Sequence, residues 1–244
     1  MRTIIVTGGS RGLGLGIAEK LAGDGFRVVA IARRPTDALD EAMHKHPDTL
    51  KFWPFDLVDI EGIPALVPAI RNEFGLLHGL VNNAGIGTSG VLANMRVGDI
   101  ERTVQLNIVS PMVLTKHVSR AMMIDSGKAG GGRIVNISSI VAATGFCGLA
   151  VYGATKAAFV GFTKSLAREL GPLGVTVNAV APGFVDTAMT EGLDDGQREQ
   201  ITRRSPLKRL AGIDDVAATV AFLMSDAARN ITGTVMTVDA GSTA

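Results

Sequence analysis

Ser139, Tyr152 and Lys156 are the residues whose types and spacing can do chemistry. Tyr152 and Lys156 lie four apart in an Ala-rich stretch that predicts a helix through Leu170, so their side chains share a face, one turn apart. Ser139 follows the apolar run Arg133–Ser138, whose Ile134, Val135 and Ile137 predict a buried parallel strand. A strand end and a helix thus bring a hydroxyl, a phenol and an ammonium to one crevice. A free phenol titrates near about 10, too high for efficient proton exchange at neutrality. A neighbouring ammonium favours phenolate, so Lys156 is expected to lower that value. Tyr152 then gives a proton to a carbonyl oxygen or takes one from an alcohol. Ser139 donates a hydrogen bond to the same oxygen. A hydride source is what this group lacks.

The N-terminal stretch offers a place for one. Thr3–Val6 reads as a short strand, Thr7–Gly14 (T-G-G-S-R-G-L-G) as a glycine-rich turn, and the residues to about Ala22 as an amphipathic helix. Glycines let a backbone approach a phosphate, and a helix N-terminus presents free N–H groups and positive potential. A tight turn needing glycine for its dihedrals gives the same pattern, but between a strand and a helix the phosphate reading is the stronger. Gly8, Ser10, Arg11, Gly12, Leu13 and Gly14 are its candidates. The second strand, Phe26–Ala32, ends without the carboxylate that would accept from ribose hydroxyls, and Arg33 and Arg34 follow. Arginines there favour a 2′-phosphate over the alternative of solvated loop charges.

The chain continues as strand–helix repeats. A third strand is predicted over Leu50–Phe55, ending at Asp56, with a helix over Glu61–Phe74. A fourth strand, Leu76–Val81, runs into Asn82-Asn83-Ala84-Gly85, which either lines the crevice or only ends the strand. A long helix is expected over Val97–Met123, interrupted near Pro111, with Asn107 inside it as a structural Asn or a water-holding one. Ser126–Gly132 reads as a flexible loop, Gly174–Ala181 as a sixth strand broken by Pro182-Gly183, and residues 184–204 as a substrate lid. A helix over Asp214–Met224 and a strand over Val235–Val238 complete an α/β pattern with a parallel sheet covered on both faces.

Composition bounds the rest. The 244 residues read as one domain, 1–244, and 46% apolar content is enough for a large core. A net charge of +1 gives no footprint for nucleic acid or an anionic membrane, and no apolar run reaches a membrane span. Nothing reads as a signal peptide, and the single cysteine, Cys147, allows no intrachain disulfide, so a cytoplasmic location is expected. His44, His46, His78 and His117 show no metal-ligand grouping, so no metal is expected. Cys147 is expected to be a buried small hydrophobe rather than a substrate contact.

Together these motifs resemble the short-chain dehydrogenase/reductase family over essentially the whole chain, Thr3 to about Gly241. The glycine turn looks like the family's T-G-x-x-x-G-x-G, Asn82–Gly85 matches N-N-A-G, and Ser139 with Tyr152 and Lys156 matches the catalytic Ser and Y-x-x-x-K. Asn107 matches the fourth catalytic position, and Pro182-Gly183 the turn beside the nicotinamide. The resemblance implies a single-domain Rossmann fold, a doubly wound seven-stranded parallel sheet flanked by helices. It implies cofactor contacts from Asp56 and Leu57, from Asn83, Ala84 and Gly85, from Tyr152 and Lys156, and from Pro182, Gly183, Val185 and Thr187. NADP(H) is the expected cofactor, with NAD(H) the alternative. The expected reaction is reduction of a carbonyl to a secondary alcohol; oxidation of a secondary alcohol, sugar or hydroxy acid, and a non-catalytic dinucleotide-binding regulator, are the alternatives. The walls of the substrate site are expected from residues 140–150, 87–92 and 184–204. A homotetramer is implied, its interfaces covering Phe159, Phe162 and Val238. The pattern is nearest to 3-oxoacyl-[acyl-carrier-protein] reductases. Leu173, however, stands where those enzymes carry a basic residue for the acidic carrier, which counts against carrier docking. His78, where the family often has Asp, reads as a packing position.

Overall fold

The computed structural model describes residues 1–124, 131–185 and 195–244, with some side chains of 195–201 left aside. Seven strands form one parallel sheet: β1 (Thr3–Thr7), β2 (Arg27–Ala32), β3 (Leu50–Pro54), β4 (Leu77–Asn82), β5 (Arg133–Ile137), β6 (Thr176–Pro182) and β7 (Val235–Val238). Their order is β3-β2-β1-β4-β5-β6-β7. The chain thus winds outward from β1 in one direction and from β4 in the other, leaving a crevice beyond the carboxyl ends of this neighbouring pair. Strands β1, β4, β5 and β6 are buried along their whole length, which is why they read as continuous apolar runs.

Helices α1 (Gly12–Gly23) and α9 (Ile213–Met224) cover one face, with Leu15, Ile17, Val216 and Val220 in its core. A Cβ on Gly16 would run into Ile213, so glycine sets how closely these two helices approach. The other face carries α3 (Ile63–Phe74), α5 (Ser110–Ile124) and α7 (Ala150–Leu170), through Ile63, Leu66, Leu114 and Leu166. Short helices α2 (Asp37–Lys45), α4 (Val97–Val104) and α6 (Val141–Thr144) follow strand ends, and α8 spans Asp195–Arg204.

The expected helix over 97–123 is interrupted near Pro111, as expected, in the turn just before it. A π-helical segment, Gln105–Val109, separates α4 from α5, and Pro111 is only the second residue of α5. Proline is tolerated early in a helical segment, where its missing N–H costs little; the wider turn before it absorbs the irregularity. The expected lid holds a helix, α8, over its last ten residues; 186–194 lie outside the described residues. The expected loop before β5 lies largely outside them too, at 125–130. Phe159 is 1% exposed and belongs to the interior of the single chain, so it is not an interface residue; Phe162 and Val238 are half-buried.

Candidate active site

Every turn expected to contribute lies at the carboxyl end of a strand. Thr7, the last residue of β1, ties two of them together. Its hydroxyl donates to Val81 O (3.2 Å) and accepts from the amides of Asn83 (2.9 Å) and Ala84 (3.0 Å). Asn83 answers by donating from its side chain to Thr7 O at 2.9 Å. Gly8 has φ +66°, and a Cβ on Gly14 would collide with the Gly8 carbonyl and the Asn83 amide. The glycines therefore let the turn, the helix start and the Asn83 loop close on one another. Helix α1 then begins with no side-chain cap on its N-terminus, leaving the N–H groups of its first turn facing the crevice. Thr36 binds Ser10 O and caps α2 through Leu39 N (3.2 Å), which fixes the far side of the turn.

This cradle fits the phosphates of a dinucleotide: free amide donors, glycine backbone, and the exposed Arg11, Arg33 and Arg34 around it. Arg33 and Arg34 have no ion-pair or hydrogen-bond partner among the described residues. Asp56 is exposed at the end of β3 and accepts from Val58 N at 3.1 Å. Leu57 and Val185, expected beside the cofactor, have their side chains packed in the core, so their side chains do not face an open site. Thr187 lies outside the described residues. Pro182 and Gly183 end β6 as expected, and a Cβ on Gly183 would press on Asp239.

The four expected catalytic residues come together. Ser139 follows β5, Tyr152 and Lys156 lie on α7, and Asn107 projects from the π-helical segment. Lys156 is 4% exposed; its ammonium donates to Ile137 O at 2.8 Å and lies 5.7 Å from the centre of the Tyr152 ring. Ser138 fastens the helix from the other side, donating to Lys156 O at 2.9 Å. Asn107 is fully engaged: its amide donates to Ile86 O (2.9 Å) and Thr155 Oγ1 (3.1 Å), and its carbonyl accepts from Ile86 N (2.9 Å). It thereby locks the segment after Gly85 to α7. Pro111, four residues on, brings no N–H to the Asn107 main-chain carbonyl.

The electrostatics differ from the sequence expectation. Burial raises the Tyr152 phenol above its ordinary value, and the hydrogen bond with the Ser139 hydroxyl pulls it the other way. Burial also holds the Lys156 ammonium down, at about 8. In the chain by itself the phenol stays protonated and the lysine is poised near neutrality, so the pair is set to give up a proton.

Sequence reasoning missed the polar chain beneath the site. Asn82 donates to Thr115 Oγ1 (2.9 Å) and Asn136 Oδ1 (2.8 Å), and Asn136 donates to Thr163 Oγ1 (2.9 Å). The signal available was an asparagine in each of two largely apolar strands, Asn82 and Asn136, which the register places side by side. Cys147, expected to be buried, is exposed, because the loop between α6 and α7 stands clear of both core layers. His78 is buried, stacked on Phe26 with 6.1 Å between ring centres, as a packing position should be. Among the described residues no cluster of ligands could hold a metal ion, and no helix is long and apolar enough to cross a membrane.

A parallel doubly wound sheet with a glycine cradle at its switch point and a Ser/Tyr/Lys group beside it defines a class of dinucleotide-dependent oxidoreductases. The family model described as Enoyl-(Acyl carrier protein) reductase matches residues 8–243. The 3-oxoacyl-[acyl-carrier-protein] reductase FabG of Salmonella typhimurium is 41% identical over 237 residues, 97% of this chain and 95% of the relative. The FabG of Escherichia coli is 41% identical over 239 residues, again 97% and 95%. Among solved structures, a putative short-chain alcohol dehydrogenase from Sinorhizobium meliloti 1021 superposes with a TM-score of 0.92 at 32% identity, covering 99% of this chain and 96% of that one. ElxO with NADP bound superposes at 0.89 and 30% identity, covering 99% and 98%. The chain belongs to the short-chain dehydrogenase/reductase family and is an oxidoreductase acting on CH–OH and C=O groups.

Proposed function

We propose that the chain reduces a ketone to a secondary alcohol with NADPH, Tyr152 serving as the acid. The observation that carries this reading is the meeting of a half-buried, protonated phenol, the Ser139 hydroxyl and a buried lysine that has no carboxylate partner among the described residues, at one strand end. The nicotinamide dinucleotide supplies the hydride when bound. Tyr152 donates its proton to the carbonyl oxygen as negative charge develops there, and Ser139 donates a second hydrogen bond to the same oxygen. Lys156, close to the ring and poised near about 8, stabilises the phenolate left behind and replenishes its proton. Asn107 holds the segment after Gly85 against α7 and so keeps the lysine side of the crevice in place.

NADPH is favoured because Ala32 leaves no carboxylate at the end of β2 and Arg33 and Arg34 stand exposed beside it. The ElxO structure carries NADP, which supports the same choice. The family model's description names reduction of a C=C bond, whereas the FabG relatives reduce a C=O. Two hydroxyl donors directed at one oxygen favour the carbonyl. Docking of an acidic carrier protein is not part of the reading, since Leu173 packs against the core where a basic residue would be needed. A homotetramer and a cytoplasmic location complete it. A hollow of about 270 Å³ between the outer side of α7 (Ala157, Val160, Gly161) and β7 (Val235, Thr237) is the face such an assembly would cover.

The test is Tyr152→Phe, which keeps the ring and removes the proton. Turnover with a panel of ketones is expected to fall by roughly a hundredfold or more while NADPH still binds. A variant that keeps most of its kcat shows that the acid is another group.

A further inference from the structure

Two walls flank the catalytic strand end, residues 85–94 and 140–151, and neither contains an ionisable side chain other than the Cys147 thiol. A main-chain bond from Gly90 N to Gly148 O, 2.9 Å, joins them. Ile140, Val141 and Val151 are buried, but three other large apolar side chains of these walls are exposed: Val91 60%, Leu92 54% and Phe146 48%. Phe146 belongs to neither core layer. Its ring meets Phe184 edge to face, 5.5 Å between centres and at 61°. Phe184 directly follows Pro182-Gly183, and Pro182 O accepts from Ile140 N at 3.0 Å, so the strand ends beneath the two rings are also joined. Phe146 lies in the connection between α6 and α7, in the stretch of chain that runs from Ser139 to Tyr152. Apolar surface held open at the mouth of a site is surface that a ligand will cover. A carboxylate or polyhydroxylated group would lose water here and find no charge in these walls to replace it.

We propose that Phe146, backed by Phe184, is a specificity-determining residue that selects ketones bearing an uncharged aryl or longer alkyl substituent and discriminates against anionic ones. This deepens the ketone-reductase reading and rests on it. The contact gains nothing from the reacting atoms, so it acts mainly on KM. A hydrophobic pocket of this kind discriminates by roughly tenfold or more per group added or lost.

Three matched methyl ketones test the assignment with NADPH as reductant: 2-butanone, 4-phenyl-2-butanone and 4-oxopentanoate. The wild type is expected to show a kcat/KM for the phenyl ketone roughly tenfold or more above that for 2-butanone, with 4-oxopentanoate below both. Phe146→Ala should shrink the phenyl preference by about tenfold, chiefly through KM, and Phe146→Leu should restore part of it. Equal treatment of the three ketones by the wild type, a preference for 4-oxopentanoate, or an equal loss on both neutral ketones in Phe146→Ala overturns the proposal. Calorimetric titration of the NADPH-loaded protein with 4-phenyl-2-butanol and 2-butanol decides it independently. If no ketone is reduced, the ketone-reductase reading falls. Tighter binding of the phenyl alcohol, lost in Phe146→Ala, still upholds the role of Phe146, and equal binding of the two alcohols overturns it.

Discussion

Strand β5 has a buried cation at each end, and the two are treated differently. Arg133 opens the strand and is 3% exposed; at the other end the carbonyl of Ile137 accepts from Lys156, which is 4% exposed. Arg133 donates to Gly132 O at 2.9 Å and lies 3.8 Å from Asp226, a carboxylate that Arg2 grips with bonds of 2.8 and 3.0 Å. Lys156 has one main-chain acceptor and two aromatic rings, centred 5.7 and 5.3 Å away, and no carboxylate among the described residues. Burial lowers both cations, but Asp226 pulls the arginine back, whereas nothing does so for the lysine. A buried charge that already has its counter-ion is committed to the fold. One without it, facing a crevice, is available to a ligand or a proton.

The largest expected effect is therefore at the unpaired end. Lys156→Met fills the volume without the charge; kcat/KM should drop by roughly a hundredfold or more and NADPH affinity should weaken, while the melting temperature of the apo protein should not fall. The folded chain holds the lysine proton at about 8 and the unfolded chain near 10.5, so unfolding takes up protons between those values. Apo stability of the wild type should then rise with pH across that window, and Lys156→Met should lose that rise. If activity and stability fell together with no change in the pH slope, Lys156 would belong with Arg133 as a structural cation.

Two further cations sharpen the contrast, because Arg33 and Arg34 are unpaired and exposed at the same end of the sheet. Exchanging Ala32→Asp together with Arg33→Ser should weaken NADPH binding by about ten- to a hundredfold and improve NADH binding. Fluorescence titration with both reduced cofactors measures this, and an unchanged ratio would make the two arginines mere solvated charges.

At the paired end the effects should be smaller and confined to stability. Asp226→Asn removes the counter-ion of Arg133 and should cost about 1 kcal/mol, a few degrees in melting temperature, with turnover unchanged; Asp226 is exposed, and water screens much of the interaction. A loss of activity would show that the amino end of β5 communicates with the crevice. The smallest effect concerns His78, which burial keeps neutral; the bond to Met224 O and the charge of Asp226 favour its proton, and Arg2 and Arg133 oppose it. Its folded pKa lies below the ordinary 6.5, so its contribution is present above that value and is lost as pH falls. His78→Phe keeps the stacking on Phe26 and should flatten the acid limb of the melting-temperature profile slightly. An unchanged limb would assign the acid sensitivity to carboxylates.

The fold was legible because its signals are local. Buried strands such as β1 and β5 are unbroken apolar runs, and the turns after β1 and β4 are spelled in glycine and asparagine. The placement of Ser139, Tyr152, Lys156 and Asn107 in one crevice followed from spacing and resemblance. What sequence did not disclose depends on packing. Helix α2 buries only Leu39 and Ala42, too few for a periodic signal. The exposure of Cys147, the burial of Phe159 and the upward shift of the Tyr152 phenol depend on what surrounds each residue in space. Charge counting along a helix gave the wrong sign for that phenol because it left desolvation out.

The Thr7 hydroxyl has a consequence for binding entropy. It occupies the amides of Asn83 and Ala84 and the carbonyl of Val81 at once, so a segment that is irregular in sequence is held as firmly as the strands beside it. The floor of the crevice is ordered when the chain folds, and a dinucleotide arriving there finds little left to freeze.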